Sequence, residues 1–217
     1  MTGSTTIAIP IFELVTALDA IGPYEVLQRV PFFDVVFIGH ERGEVRTDNG
    51  MLGLVRDATF DDVPTPDVIV FPGGVGTRTL VNDGRVLDWV RTAHESTTMT
   101  TSVCTGSVVL AAAGLLTGCT ATTHWSAYAE LEGFGAVPVA DRVVEHIDRR
   151  LITAAGVSSG IDMALRLVEL LVDRTAAEAC QLMIEYDPQP HVDAGSLTKA
   201  DDRVVARVVE YVSTGRR

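Results

Sequence analysis

The feature that most constrains this chain is a set of short, dense apolar runs with no polar alternation. Residues 5–10 (TTIAIP), 32–39 (FFDVVFIG), 67–71 (DVIVF) and 97–103 (TTMTTSV) are rich in Val, Ile, Phe and Thr. Strands buried on both faces read this way, because neither face needs polar side chains for water. Between them, residues 17–30, 85–94, the stretch after Cys104 (GSVVLAAAGLL), 158–172 and 176–186 have helical character. Strands alternating with helices predict an α/β fold with a largely parallel sheet covered on both faces.

Finer signals divide the rest. Asp48-Asn49-Gly50 marks a hairpin turn within 44–55. Residues 126–131 read as a short helix, 142–152 as two strand segments around 146–149, and 203–212 as a final amphipathic helix. Thr16 is the expected cap and Pro31 the stop of the first helix. Gly22-Pro23, however, places the proper helix start near Pro23, with Asp19 in the turn before it. No linker, repeat or composition break appears, so one domain over 1–217 is expected, with a core at about 5–186. The polar segment 187–199 is expected to wrap the surface or a partner.

Composition narrows the function classes. Hydrophobic residues are 47% of the chain and charged residues 21%, which supports a well-packed core. The formal net charge is −12. Such a chain repels phosphate backbones and anionic bilayers, so neither nucleic acid nor membrane is expected as a partner. No apolar run is long enough to span a bilayer, and residues 1–6 lack the basic start of a signal peptide. Three cysteines, Cys104, Cys119 and Cys180, are too few and too irregular for a disulfide framework or a zinc site. A reducing, cytoplasmic setting is expected.

Cys104 follows a strand-like run and precedes a helical one, with Gly106 leaving room for a tight turn. A nucleophile at such a turn projects from the carboxyl edge of the sheet. The helix terminus is expected to stabilise its thiolate. The plainer reading is a buried cysteine acting as a small hydrophobe. Pro72-Gly73-Gly74-Val75-Gly76 offers backbone N–H groups at the same edge, suited to developing negative charge, or simply a tight turn. Asp19, flanked by apolar residues, suits a general acid with a raised pKa, or a helix cap. His124 is a candidate base or orienting group, or a structural histidine. Asp162 reads as a cap, Cys119 and Cys180 as packing residues, and His40, His94, His146 and His191 as surface or loop residues.

Four segments together resemble the ThiJ/PfpI superfamily. They are 19–26 (DAIGPYEV), 71–74 (FPGG), 102–106 (SVCTG) and 122–125 (TTHW). The resemblance implies a class I glutamine-amidotransferase-like, flavodoxin-like three-layer sandwich with a nucleophile elbow. Within the superfamily the chain is similar to the isonitrile (isocyanide) hydratase group, which has Asp before Gly-Pro and Cys-Thr-Gly at the elbow. That similarity implies catalytic roles for Cys104, Asp19 and Thr105, backbone donors at Gly73, Gly74 and Thr105, and no metal or organic cofactor. It implies a small-molecule substrate, lined here by Ile21, Tyr24, Val75, His124, Trp125 and Val157. The protease-like branch has His after the cysteine; Thr105 stands there in this chain. A homodimer is expected on the same resemblance, and 217 residues leave no room for the paired helix-turn-helix module of related regulators. Other activities of the same scaffold are a redox or stress sensor built on an oxidisable Cys104, and a glyoxalase or amidase.

Overall fold

The structure, a computed structural model, describes residues 3–214; residues 1–2 and 215–217 of the expected domain lie outside the described residues. The chain divides into two compact units, Met1–Ile184 and Glu185–Arg217. The first unit opens with β1 (Thr5–Pro10), α1 (Ala17–Leu27) and β2 (Phe33–Gly39). The hairpin β3 (Gly43–Arg46) and β4 (Gly53–Arg56) follows, then β5 (Ala58–Thr59) and β6 (Val68–Phe71). Next come α2 (Thr77–Leu80), α3 (Gly84–Ser96), β7 (Met99–Val103), α4 (Gly106–Ala112) and β8 (Thr120–Ala121). A 3-10 turn (Trp125–Ala127) leads into α5 (Tyr128–Gly133), β9 (Val137–Pro138), β10 (Val143–His146), β11 (Leu151–Ala154), α6 (Ser159–Leu171) and α7 (Arg174–Met183).

Seven strands form one sheet in the order β10-β11-β7-β6-β1-β2-β5. Every pair is parallel except β10 with β11. The alternation of side chains along each strand splits the core into two layers. Ile7, Ile9, Val68 and Val70 face a cluster that includes Ala20, Val26, Met163 and Leu167 of α1 and α6. Ala8, Ile69 and Phe71 face a second cluster with Val86, Trp89 and Val90 of α3 and Val108, Val109 and Leu110 of α4. Helices therefore cover both faces. This is the expected three-layer α/β sandwich, with the hairpin near 44–55 and the two strand segments of 142–152 where the sequence placed them; the antiparallel pairing of those two segments at the sheet edge is new.

Helix α1 departs from expectation. It begins at Ala17 and carries Pro23 inside, so Asp19 sits in its first turn rather than in a preceding loop. Proline in a helix interior costs about 3 kcal/mol in isolation. Here the missing N–H strips a bond only from the first turn, and packing compensates. A Cβ on Gly22 would stand 3.1 Å from Ile161, and one on Gly160 would stand 3.1 Å from the Pro23 ring. The two glycines thus let α1 and α6 approach closely around the proline. Thr16 occupies the N-cap position but makes no capping bond; its hydroxyl donates to Asp48 Oδ2 at 3.1 Å.

Strand β7 is fully buried yet mostly hydroxyl-bearing. Thr101 Oγ1 donates to the Ile69 carbonyl, and Thr100 Oγ1 bonds His94 Nδ1 and Thr97 Oγ1. His94 is therefore part of the core network, not a surface residue. Pairing of β7 with β6 (Phe71 opposite Ser102) and with β11 (Ala154 opposite Val103) brings three strand ends level at one edge.

The second unit holds α8 (Asp202–Thr214), an amphipathic helix whose Val204, Val208 and Val212 are exposed.

Helix α4 is buried nearly all round, so truncating its centre should leave a cavity. We expect Leu110→Ala to cost about 2–5 kcal/mol. Urea unfolding reads this as a lower midpoint at unchanged slope.

Candidate active site

Cys104 sits between β7 and α4 with φ +56°, a left-handed backbone rare for a residue with a side chain. Holding it there costs on the order of 1–3 kcal/mol, so the surroundings must over-determine it. They do so from both sides. The Cys104 N–H donates to the carbonyls of Ala154 (3.0 Å), which ends β11, and Ala155 (3.1 Å), just beyond it. Its carbonyl accepts from Thr123 Oγ1 (3.0 Å) and Ser107 Oγ (3.1 Å). Gly106 completes the elbow, because a Cβ there would lie 2.1 Å from the Phe71 carbonyl oxygen. No side chain fits, so the start of α4 rests directly on the end of β6.

The 72–76 turn closes over the elbow. A Cβ on Gly73 would stand 2.5 Å from the Thr105 nitrogen and 2.9 Å from Asp19 Oδ2. Through that gap the Gly73 N–H donates to Asp19 Oδ2 (3.1 Å), and the Gly74 N–H donates to Thr105 Oγ1 (2.9 Å). Thr77 Oγ1 donates to the Gly74 carbonyl at 2.7 Å, and lies 3.1 Å from Thr105 Oγ1. Gly73 and Gly74 were expected to offer free donors to reacting charge. The structure spends both N–H groups on placing Asp19 and Thr105 instead. The Thr105 N–H, which bonds toward the Cys104 sulfur, is the backbone donor left to the thiol.

Asp19 is fully buried, and its Oδ1 has no hydrogen-bond partner. Burial pushes its carboxyl up to about 7; the bonds from Cys104 and the Gly73 N–H oppose this, and the nearby charge of Asp48 adds to it. Cys104 is 5% exposed. Burial pushes its thiol strongly up, and the Asp19 charge pushes it further; the Thr105 bonds pull down less. A resting thiolate held by the helix terminus was expected. Desolvation overrides it, because α4 is only seven residues long and its start is shielded from water. Thiol and carboxyl thus lie together out of water, and an ionised Asp19 opposes ionisation of the thiol.

The structure therefore joins Cys104, Asp19, Thr105, Gly73 and Gly74 by direct contacts. Other expected residues scatter. Ile21 is half-buried on α1. Tyr24 lies ring against ring with Phe37 of β2 at 5.4 Å, and β1 and β6 separate that strand from β7. It is a packing residue of α1, not a lining of the elbow. Val75 is exposed on the 72–76 turn. Val157 is half-buried in the loop before α6 and packs on the core. His124 and Trp125 are half-buried, with rings 5.3 Å apart. His124 Nδ1 bonds Ser126 Oγ (2.7 Å), and burial followed by Arg78 pushes its pKa down, so the ring is held neutral. A Cβ on Gly156 would strike that ring at 2.3 Å, which sets His124 against the loop receiving the Cys104 N–H. Asp162 lies in the first turn of α6, where its charge faces the helix N-terminus as a dipole partner would; it makes no capping bond and pairs with Arg142. His40 pairs with Asp83 (2.6 Å), and His146 Nε2 bonds the Thr120 carbonyl (2.8 Å). Cys119 and Cys180 are buried, as expected of packing residues.

Thr77, Thr123 and Asp48 were not singled out from sequence. Thr77 carried a usable signal, since it directly follows the glycine turn. Asp48 looked like hairpin punctuation, and only the fold brings it near Asp19. Among the described residues no cluster of three or more His, Cys, Asp or Glu side chains is placed to hold a metal, and no helix is long and apolar enough to cross a membrane.

Comparison with known proteins places the chain. The DJ-1/PfpI family profile matches residues 5–170. An isonitrile hydratase of Pseudomonas putida is 44% identical over 195 residues, covering 90% of this chain and 84% of that protein. A glutathione-independent glyoxalase of Caenorhabditis elegans is 29% identical over 139 residues, covering 63% of this chain and 73% of that protein. The crystal structure of a ThiJ/PfpI family protein from Pseudomonas syringae superposes with a TM-score of 0.91 at 37% identity, covering 99% of this chain and 88% of that one.

The buried Asp19 charge should be visible in stability. The folded carboxyl binds its proton more tightly than the ordinary value of 3.8 allows, so stability is fully present below about pH 4 and falls as pH rises toward 7. Roughly three pKa units at 1.36 kcal/mol each bound the effect at about 4 kcal/mol. Asp19→Asn should therefore unfold at higher urea than wild type at pH 8, with the gap closing toward pH 4. Equal or lower stability at pH 8 would contradict a buried carboxylate.

Proposed function

Since the chain belongs to the DJ-1/PfpI family, we propose that it is an isonitrile hydratase, converting an isonitrile to an N-substituted formamide through a thioimidate on Cys104. The observation that carries this reading is the buried Asp19 carboxyl coupled to the Cys104 thiol at a strained elbow. The 44% identity to the P. putida isonitrile hydratase supports it.

The pair suits the chemistry. Above about pH 7 it holds one proton, on sulfur in the resting state. Moving that proton to Asp19 creates the thiolate and the general acid together, at no change in net charge. The terminal carbon of an isonitrile is both electrophilic and, once attacked, basic. The Cys104 thiolate adds to that carbon while the Asp19 carboxyl gives its proton to the same carbon, which yields R–N=CH–S–Cys104. The Asp19 carboxylate then takes a proton from an attacking water and passes it to nitrogen. Collapse of the R–NH–CH(OH)–S adduct expels the thiolate, and the hydroxyl proton returns to Asp19. Isonitrile and water are consumed, formamide is released, and the pair is restored. The Thr105 N–H steadies negative charge on sulfur at the start and end of the cycle. Gly73 and Gly74 serve by position, one holding Asp19 and the other holding Thr105.

A protonated resting thiol argues against the sensor reading, because peroxide reacts with thiolates. Exposed Leu14, Leu18 and Val75 flank the site in sequence and invite a cover. We therefore extend the reading to a homodimer, which light scattering at micromolar concentration tests.

Cyclohexyl isocyanide should be hydrated by the wild type, with N-cyclohexylformamide as product. Cys104→Ala should show no turnover, and Asp19→Asn should lose roughly 10²–10⁴-fold in kcat. If wild type does not exceed the Cys104→Ala control, the hydratase reading fails. Full protonation of the pair below about pH 7 removes the active form. The ratio kcat/KM should accordingly rise with pH to a plateau above that value.

A further inference from the structure

We infer that the chain carries a second small-molecule site, apart from Cys104, in the crevice beyond the ends of β1, β2 and β6, and that it takes a small uncharged aromatic with one hydrogen-bond donor, of the phenol class. A cavity of about 270 Å³ lies there. Its position follows from topology. After β1 the chain crosses to β2 on one side, and later returns to β6 on the other. Strand connections diverge at this point, and ligands of open α/β sheets collect outside the carboxyl ends at such switch points. The cavity is lined from all three ends: Phe12 follows β1, His40 follows β2, and Phe71 ends β6. Cys104 lies beyond a different strand, β7, and neither it, Asp19 nor Thr105 lines this cavity. The 72–76 turn separates the two places. Its Gly73 and Gly74 serve the elbow, while Gly76 lines the cavity.

Size and walls select the body of the ligand. An apolar cavity of about 150 Å³ accepts benzene, so this one has room for a single ring with small substituents. Phe12 and Phe71 face each other with ring centroids 6.2 Å apart, and Phe60 and Leu80 add further apolar wall.

One oriented polar group selects the head. Asp83 caps α3 by accepting the Arg85 and Val86 N–H groups on Oδ1. Its Oδ2 lies 2.6 Å from His40 Nε2. A carboxylate only accepts, so Nε2 carries the hydrogen. The ring is further fixed edge-on against Phe60 at 84°. His40 Nδ1 has no protein partner among the described residues, and in the neutral ring it accepts a hydrogen bond. A hydroxyl or N–H on the ligand matches it. Anions are disfavoured: Glu13 and Asp83 both line the cavity. Arg56 contributes its stem, while its guanidinium is committed to the Gly43 and Glu44 carbonyls and lies 3.7 Å from Glu41.

The probe is 4-fluorophenol, titrated by fluorine and backbone-amide NMR into wild type and into Cys104→Ala. Saturable binding is expected in both, with shifts centred on Phe12, His40 and Leu80. Toluene, without a donor, and benzoate, an anion, should each bind at least tenfold more weakly. His40→Phe should weaken the phenol tenfold and spare toluene, and His40→Gln, which keeps an acceptor, should retain the preference. Thr79→Trp, at an exposed position on the lining, should block all three. The inference is overturned by an absence of saturable binding into the millimolar range, by shifts centred on Trp125 and the elbow, or by equal binding of phenol, toluene and benzoate. Should a His40 variant not fold, that three-ligand comparison on wild type still decides. Because Cys104→Ala is included and no turnover is measured, failure here is distinct from failure of the hydratase reading.

Discussion

The site depends on one close approach: the first residue of α4 rests on the last carbonyl of β6, where only a hydrogen fits in place of a side chain. This contact sets the depth at which the chain turns out of β7. With Gly106 seated there, Cys104 must take a left-handed backbone, and the loops after β8 and β11 must reach in to bond its carbonyl and N–H. The strain at Cys104 is held by bonds from elements far apart in sequence. A rigid sheet edge, not a flexible loop, therefore presents the Cys104 side chain.

A second gap without a side chain, at Gly73, sets the electrostatics. It lets a carboxyl from α1 and a threonine from the elbow meet across the backbone of the 72–76 turn. Both ionisable groups are then out of water, and desolvation raises both. A buried pair of this kind cannot ionise fully at neutral pH. The proposed hydration uses this: with a carboxyl and a thiol side by side, attack on a carbon and protonation of that carbon draw on one pair of groups. An exposed, permanently ionised thiolate would offer nucleophilicity without the acid beside it.

The same turn divides the carboxyl edge of the sheet into two compartments. On the β7 side are the elbow and its acid. On the switch-point side is a cavity walled by phenylalanines, with a histidine fixed by a helix cap. Relatives of this chain include both an isonitrile hydratase and a glyoxalase. One fold can host different activities because function lives in the site and in the space around it, and here the edge offers two such spaces.

Much of this was written locally. The apolar runs set the buried parallel strands, the Asp48-Asn49-Gly50 turn set the hairpin, and the strand–Cys–Thr–Gly–helix order set the elbow, because period, turn chemistry and steric freedom at glycine act over a few residues. The start of α1 misled, since Pro23 signals a helix start unless packing against α6 outweighs it. Tyr24 misled for a similar reason: neighbouring Asp19 in sequence did not keep it at the same place on the sheet. Sequence alone determined the fold class and that Cys104 falls at the turn between a strand and a helix. Only the tertiary structure decided what Gly73 and Gly74 bond, that burial and Asp19 push the Cys104 thiol up, and that Asp48 lies near Asp19. Those outcomes turn on burial and on contacts between segments tens of residues apart, and desolvation depends on what surrounds a group from every side.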